Sequence, residues 1–311
     1  MFYKKSFGIR NGVKMSTIKV SYCILTYNQE DYIEQTIQAA FNQTYSPMEI
    51  IISDDGSTDH TFEIVQRMAK EYKGPNVVKI NQNVPNLGLR EHYNKVLYEL
   101  STGEYIILAD GDDVSISTRV EDYVKAFEQY PDVVMVSSKS IETDQDLNPL
   151  PTDEEWDGSY SINTINDYIE NPTWFIHSSD SRGLRRSVID AYPPLKYPRA
   201  EDLSFFIRAL MVGSECYIRK GYVHRRHHDN NSSSAKLTKD VTQKLITQMN
   251  EDVDTAHENG YISIKKVYQM KNKFLYILEY MNLYSNNTTY NLKVIFYKAL
   301  SKVLKVRIFK L

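Results

Sequence analysis

Two short groups of aspartates each follow an apolar stretch of the chain, and this spacing suits metal and phosphate chemistry. The aspartates are Asp54, Asp55, Asp110, Asp112 and Asp113. Carboxylates held close together repel one another unless a cation or hydrogen-bond donors lie among them. A hard divalent cation such as Mg²⁺ or Mn²⁺ prefers oxygen ligands and keeps positions for phosphate oxygens. If the preceding stretches are neighbouring parallel strands, we expect both groups at one sheet edge.

Each group alone also fits a purely structural role. Residues 54–57 are typical of a turn before a helix, with Gly56 in the turn and Ser57 as the helix cap. Residues 110–113 are typical of a solvated loop, in which Gly111 lets the backbone approach a ligand closely. The occurrence of both groups after apolar stretches favours the metal interpretation.

The apolar pattern predicts the elements that position these acids. Between Ile18 and Ser137, short β-rich stretches alternate with segments of helical periodicity. This predicts an α/β fold with a mainly parallel sheet flanked by helices, which binds ligands at the carboxyl ends of its strands. Residues 139–175 break the alternation and predict a long irregular connection, and the chain from Lys239 predicts helices.

Composition limits the classes of protein and the compartment. The chain has 311 residues, with 37 basic against 40 acidic residues, which argues against a nucleic-acid-binding protein. Two cysteines offer no disulfide framework and fit a reducing compartment. The basic segment 1–14 has no long apolar stretch, and no other run reaches the roughly 20 residues that cross a bilayer. We therefore expect a cytoplasmic protein.

Several motifs resemble the family 2 inverting glycosyltransferases of the GT-A (Rossmann-like) fold, as found in bacterial surface-polysaccharide synthesis. They are VSYCILTYN at 20–28, IIISDDGSTD at 50–59, Asn-Leu-Gly at 86–88, YIILADGDD at 105–113, Glu201-Asp202, and the run from His224 to Ser232. Two positions depart from the family pattern, since Leu25 replaces a proline and His224 a tyrosine. The resemblance implies a GT-A domain at 16–235, between an amino-terminal extension at 1–15 and a helical carboxyl-terminal extension at 236–311.

The resemblance also implies a metal-assisted hexosyl or N-acetylhexosaminyl transfer from a nucleotide-sugar, with UDP the commonest nucleotide. The implied donor-binding residues are Thr26, Tyr27, Asn28, Asp54, Arg90, Asp110 and Asp112. The implied ligands of Mn²⁺ or Mg²⁺ are Asp110, Asp112 (the DXD motif) and His227, although a basic run such as 224–228 is also typical of a solvated surface.

The implied acceptor is a hydroxyl of a glycan or of a lipid-linked glycan. Asp202 is the implied general base, with Glu201 beside it for acceptor binding. An acceptor hydroxyl must lose its proton as it attacks the anomeric carbon, and a carboxylate within hydrogen-bond reach can take it. The weaker acceptor-binding candidates are Trp174, His177 and Arg182, of which Trp174 also fits a core position.

The carboxyl-terminal segment 290–311 combines apolar residues at helical spacing with basic residues and no acid. This predicts a basic amphipathic helix, which either lies on the anionic inner face of the plasma membrane or packs on the domain. Both alternatives stay open, as do a homo-oligomer, the donor sugar and the linkage.

Three other classes of protein remain as alternatives. A nucleotidyltransferase of related fold needs a glycine-rich phosphate loop where residues 26–29 read Thr-Tyr-Asn-Gln. A glycoside hydrolase needs a pair of carboxyl groups and neither nucleotide nor metal. A non-catalytic nucleotide-sugar-binding protein would have no need to keep Asp112 and Asp202.

Overall fold

Nine strands form one sheet in the computed structural model, which describes residues 19–152, 156–170, 181–198, 201–228 and 239–271. The strands are β1 (Val20–Thr26), β2 (Glu49–Asp54), β3 (Val77–Gln82), β4 (Tyr105–Asp110), β5 (Val114–Ser115), β6 (Val133–Thr143), β7 (Tyr160–Asn163), β8 (Gly183–Arg185) and β9 (Ser214–Arg226). The helices are α1 (Ile33–Phe41), α2 (Thr61–Glu71), α3 (Leu89–Asn94), α4 (Arg119–Gln129), α5 (Ile165–Glu170), α6 (Arg186–Asp190), α7 (Glu201–Val212) and α8 (Lys239–Glu258). A π-helical segment, Lys95–Leu100, follows α3 directly.

The sheet is parallel in its first half and mixed in its second. Its order is β3-β2-β1-β4-β8-β6-β9-β5, and β7 pairs with β9. Strands β3, β2, β1 and β4 are all parallel, whereas β8 is antiparallel to both β4 and β6. The predicted α/β class is therefore confirmed.

Helices cover both faces of the sheet because its central strands are apolar on both sides. Every residue of β1 is buried. Side chains alternate between the faces of a strand, so Cys23 and Leu25 join the core beneath α3, α6, α7 and α8. Tyr22 and Ile24 join the opposite core, beneath α1, α2 and α4.

The predicted irregular connection at 139–175 is wrong in part. Strand β6 continues to Thr143 beside β9, and β7 and α5 both lie within the segment. The polar sequence of residues 137–143 lacks the apolar pattern on which the prediction depended. Backbone pairing with β9 supplies the regular structure instead.

The described part of the carboxyl-terminal extension packs on the main domain. Helix α8 contributes to the same core as α7, and Arg208 of α7 forms a buried ion pair of 2.7 Å with Asp252 of α8. The domain boundaries at 15/16 and 235/236 stay predictions, and segment 290–311 lies outside the described residues. Within the described part of the chain, no helix combines the length and apolarity required to span a membrane.

Candidate active site

The carboxyl ends of three neighbouring strands bring the two acidic groups together. Strand β1 lies between β2 and β4, with Thr26 opposite Asp54 and Leu25 opposite Asp110. Both acids therefore flank the end of β1, and the predicted meeting of the two groups at one sheet edge is confirmed. This is also the edge at which open α/β sheets bind their ligands.

Asp54 organises the turn that follows β2. Its buried carboxylate accepts hydrogen bonds from the Gly56 amide at 3.1 Å, the Ser57 amide at 3.0 Å and the side chain of Gln82 at 3.3 Å. The hydroxyl of Ser57 also donates to Asp54. The predicted helix-cap role of Ser57 is wrong, because α2 begins only at Thr61 and Ser57 is used within the turn.

Asp55 fastens the loop that follows β3. One of its oxygens accepts from the side-chain amide of Asn83 at 2.9 Å and from the Leu87 amide at 3.0 Å, and the other accepts from the Gly88 amide at 2.9 Å. Gly56 makes this contact possible, since a Cβ there would lie 2.7 Å from the Asn83 carbonyl oxygen and its φ is +74°. Asp55 therefore has a structural role in this loop, whereas Asp54 lies opposite Thr26 at the end of β1.

The segment after β1 offers both polar and aromatic groups at this edge. Thr26 is buried, whereas Tyr27 is 47% exposed. Asn28, with φ of 52°, accepts from the Thr58 amide at 2.8 Å and donates from its own amide to the Ser57 hydroxyl at 2.9 Å. These bonds fix the segment against the turn after β2 and leave the ring of Tyr27 accessible to a ligand.

Gly111 is the point of closest approach between the second acidic group and the segment after β1. Its amide donates to the Leu25 carbonyl at 2.9 Å. A Cβ at Gly111 would lie 2.2 Å from Oε1 of Gln29 and 2.7 Å from Cβ of Thr26. The predicted close approach at Gly111 is thus to neighbouring side chains of the same sheet edge.

Two adjacent histidines after β9 have different partners. Nε2 of His228 lies 3.0 Å from a carboxylate oxygen of Asp112, and the His228 ring packs on Tyr32 with centroids 4.6 Å apart. His227 instead hydrogen-bonds Glu142 at the surface. The histidine that reaches the acids is therefore His228, and His227, the predicted ligand, lies with Glu142.

Arg226 joins the second acidic group to α1. The sequence offered it only as an extra phosphate donor, together with Arg225, and did not predict this structural role. Its amide donates to the carboxylate of Asp113, and its Nε donates to the Asp112 carbonyl, both at 2.9 Å. The guanidinium also donates to Gln35 at 2.6 Å and lies 4.7 Å from the ring centroid of Tyr32. These bonds fix the backbone that carries Asp112 and leave its carboxylate to His228.

Asp202 and Glu201 begin α7. Asp202 is exposed and Glu201 is buried. The guanidinium of Arg182 donates to the Asp202 carbonyl at 2.8 Å, and the Arg182 carbonyl accepts from the amide of Leu108, two residues before Asp110. Arg182 is only 1% exposed and contacts the first turn of α7 from the interior of the domain. Trp174 and His177 lie outside the described residues.

The hydrogen bonds of Arg90 to other described residues do not reach the aspartates of the two acidic groups. Its guanidinium donates to the carbonyl of Lys196 and to the carboxylate of Glu91. These bonds tie α3 to the segment that leads into α7.

A buried histidine, His92, contacts the residue that precedes Asp54 and was not predicted from the sequence. Nε2 of His92 lies 2.8 Å from the hydroxyl of Ser53. Burial lowers the pKa of His92, although the charges of Asp55 and Asp54 oppose this. A neutral His92 ring is therefore favoured.

The described residues supply two or three ligands for a cation rather than a complete cage. Among them, no group of three or more His, Cys, Asp or Glu side chains is arranged to hold a metal ion. Asp110 and Asp112 still offer oxygen donors at one edge, with His228 beside Asp112. Mg²⁺ commonly binds through one or two carboxylates together with substrate phosphates and waters, so the donor set fits a cation that arrives with a diphosphate.

Comparison with known proteins gives one family. The family profile described as "Glycosyl transferase family 2" matches residues 21–192, more than half of the chain. An "Uncharacterized glycosyltransferase" of Haemophilus influenzae is 29% identical over 229 residues, which cover 69% of this chain and 67% of that protein. The Escherichia coli "UDP-Glc:alpha-D-GlcNAc-diphosphoundecaprenol beta-1,3-glucosyltransferase WfaP" is 33% identical over 125 residues, 40% of this chain and 47% of that enzyme. The match thus spans less than half of some curated relatives.

A solved structure shares the fold. The crystal structure of S. aureus TarS 1–349 in complex with UDP-GlcNAc superposes with a TM-score of 0.65 and 20% identity, covering 87% of this chain and 74% of TarS 1–349. The predicted GT-A fold is confirmed by this similarity together with the family match.

Proposed function

This chain belongs to glycosyl transferase family 2, and on that basis we propose that it moves a sugar from a UDP-sugar to a hydroxyl of a glycan or lipid-linked glycan, with inversion at the anomeric carbon. The UDP part rests on similarity to proteins whose names include UDP-sugars. The observation that carries the proposal is the position of Asp54 and Asp110 on either side of the end of β1.

The donor lies, in this proposal, across the end of β1. Thr26, Tyr27 and Asn28 line the nucleotide pocket, with the exposed ring of Tyr27 as one wall. Asp54 accepts a hydrogen bond from the base, for which its buried carboxylate, now bonded to the following turn, must become accessible. Arg90 contacts the nucleotide only after leaving the Lys196 carbonyl.

Asp110 and Asp112 would hold a divalent cation, and we propose His228 in place of His227 as the accompanying histidine. A divalent cation at this position stabilises the charge that builds on a leaving diphosphate. Arg226 bonds the main-chain carbonyl of Asp112 and not its carboxylate. The Asp112 carboxylate can therefore change partners while Arg226 holds the backbone. His228 would turn from Asp112 towards a phosphate or the cation.

Asp202 is the proposed general base, with Glu201 beside it for the acceptor. Its exposure leaves the carboxylate accessible to an acceptor hydroxyl, and its place in the first turn of α7 gives it a fixed backbone. A single base acting opposite the leaving group accounts for inversion without a covalent intermediate. Trp174, His177 and the region around Arg182 remain the proposed acceptor side.

A nucleotide-release assay tests this function. The full chain is incubated with UDP-glucose, UDP-galactose, UDP-N-acetylglucosamine, GDP-mannose or dTDP-glucose, with and without Mn²⁺, and the released nucleotide is measured. We expect UDP release from at least one donor and stimulation by Mn²⁺. Formation of a nucleotide-sugar from a sugar phosphate and a nucleoside triphosphate would identify a nucleotidyltransferase. UDP binding without turnover on any glycan or lipid-linked acceptor would identify a binding protein.

Peripheral membrane contact through segment 290–311 is a further part of the proposal. Its basic residues and absence of acids suit an anionic lipid surface. A chain truncated after residue 289 should lose binding to anionic liposomes, and unchanged binding would remove this part.

A further inference from the structure

A buried arginine links the backbone of Asp202 to the strand that carries Asp110. Arg182 is 1% exposed, and its guanidinium donates to the Asp202 carbonyl at 2.8 Å. Its own carbonyl accepts from the amide of Leu108 in β4 at 3.0 Å. One residue thus contacts both the helix that presents the proposed base and the strand that presents the proposed metal ligand.

The backbone of Arg182 is held in place by its neighbour Ser181. The Ser181 hydroxyl donates to the carbonyl of Ser138 at 2.8 Å, and its carbonyl accepts from the hydroxyl of Tyr123 at 2.5 Å. Ser181 and Tyr123 are both fully buried. Arg182 therefore extends from a rigid part of the sheet, and its reach to Asp202 is fixed.

We infer that Arg182 is a positioning residue for Asp202. This inference rests on the proposed function, because it gives Asp202 the role of base. The carbonyl and the side chain of Asp202 share one Cα, so the bond that holds the carbonyl also holds the point from which the carboxylate extends. Displacing a reacting group by about 1 Å can cost on the order of a hundredfold in rate.

Two substitutions of Arg182 test the inference in the full chain. Arg182→Gln removes the charge and shortens the side chain that carries the donor. Arg182→Lys keeps the charge and a single donor nitrogen. We expect kcat for nucleotide release to fall by about tenfold or more in Arg182→Gln and by less in Arg182→Lys. The Kd of UDP with Mn²⁺, measured by titration calorimetry, should stay within about twofold of the wild-type value because the donor-side residues are untouched.

Arg186→Gln is the matched control. Arg186 also bonds backbone carbonyls, those of Gly103 and Leu97, but at the amino end of β4, away from the proposed site. Its loss should lower the melting temperature without changing kcat. A kcat equally reduced in Arg186→Gln would show that general destabilisation explains the effect and would overturn the inference.

Amide hydrogen exchange separates failure of this inference from failure of the proposed function. Arg182→Gln should speed exchange in the first turns of α7, and Arg186→Gln should not. Unchanged exchange there, or faster exchange with unchanged kcat, overturns the positioning role. Full activity in Asp202→Asn would instead refute the base, leaving the exchange result to decide whether Arg182 fixes α7. If Arg182→Gln does not fold, Arg182→Lys decides, and faster exchange in the first turns of α7 with an unchanged kcat in that variant contradicts the inference.

Discussion

His228 contacts Asp112 through Nε2 at 3.0 Å, whereas its neighbour His227 contacts Glu142 on the surface. Consecutive side chains of an extended chain point to opposite sides, and the His227 amide still bonds the Thr143 carbonyl beyond the end of β9. Only one of two adjacent histidines can therefore face the acids. The pairing makes His228 the residue whose loss should affect a bound cation or diphosphate.

Replacing each histidine by alanine separates the two roles. His228→Ala should weaken UDP binding in the presence of Mn²⁺ and lower nucleotide release by about tenfold or more, since one contact of ~1.4 kcal/mol corresponds to a factor of ten. His227→Ala should change either quantity by less than about threefold, because exposed ion pairs contribute little. Titration calorimetry with UDP and Mn²⁺ measures the binding, and the nucleotide-release assay measures the turnover. Equal effects of the two substitutions would contradict the assignment.

This assignment also marks the limit of what the sequence could predict. Apolar stretches fixed the positions of β1, β2 and β4, and their parallel pairing follows from the intervening helices, so the meeting of Asp54 and Asp110 was predictable. The direction of a side chain at the end of β9 was not, because β6 and β9 pair with register shifts near Lys139. A shift of one residue exchanges the faces of every following side chain.

Buried charges were the second source of error. Arg182 was predicted as an acceptor contact because it falls in the region where similar enzymes bind acceptors, yet its guanidinium lies in the interior. Its backbone and side-chain partners, Leu108 and Asp202, are distant in sequence. Local sequence patterns carry no information about such partners. The fold was therefore more predictable than the buried residues that hold the site in place.

Asp202→Asn tests the proposed base directly. The amide keeps the size of the side chain but cannot accept the acceptor proton, so transfer should fall by on the order of 10²–10⁴-fold. UDP binding should stay within about twofold, because Asp202 contributes no donor-side contact in the proposal. Sugar transfer assays and titration calorimetry report the two quantities separately. Equal losses of both would remove Asp202 from the base role.

Gly111→Ala should damage the site through the crowding at the sheet edge. A Cβ there meets Gln29 and Thr26 within 2.7 Å, so the segment after β1 or the Asp110–Asp112 backbone must move. We expect weaker UDP binding as well as a lower melting temperature. Gly103→Ala is the control. A Cβ at Gly103 would lie 2.6 Å from the Ser21 amide nitrogen, which is a similar clash, but at the amino ends of the strands and away from the proposed site. That variant should lose stability and keep the wild-type affinity for UDP.

Asp252→Ala should detach α8 from the main domain. The carboxylate pairs with Arg208 at 2.7 Å, and both side chains are almost completely buried. Removing one partner leaves an unpaired buried charge and should cost about 3–5 kcal/mol of unfolding free energy. Denaturant unfolding measures this loss. The double variant Arg208→Met, Asp252→Leu should recover much of it, and a double variant as unstable as the single one would show that packing, not charge, causes the loss.

The buried ring of His92 should make stability depend on pH below neutrality. Burial lowers its pKa from 6.5 in the folded chain, so the unfolded chain binds a proton more readily. Stability is therefore present above the unfolded value and falls as pH drops through it towards the folded value. Replacing His92 by Gln should reduce the loss of unfolding free energy between pH 7.5 and 5.5, by up to about 1.4 kcal/mol. His60→Gln is the control, because the hydrogen bond with Glu63 raises the pKa of exposed His60 and gives the opposite sign. An equal loss in wild type and His92→Gln would show that other groups govern the acid limb.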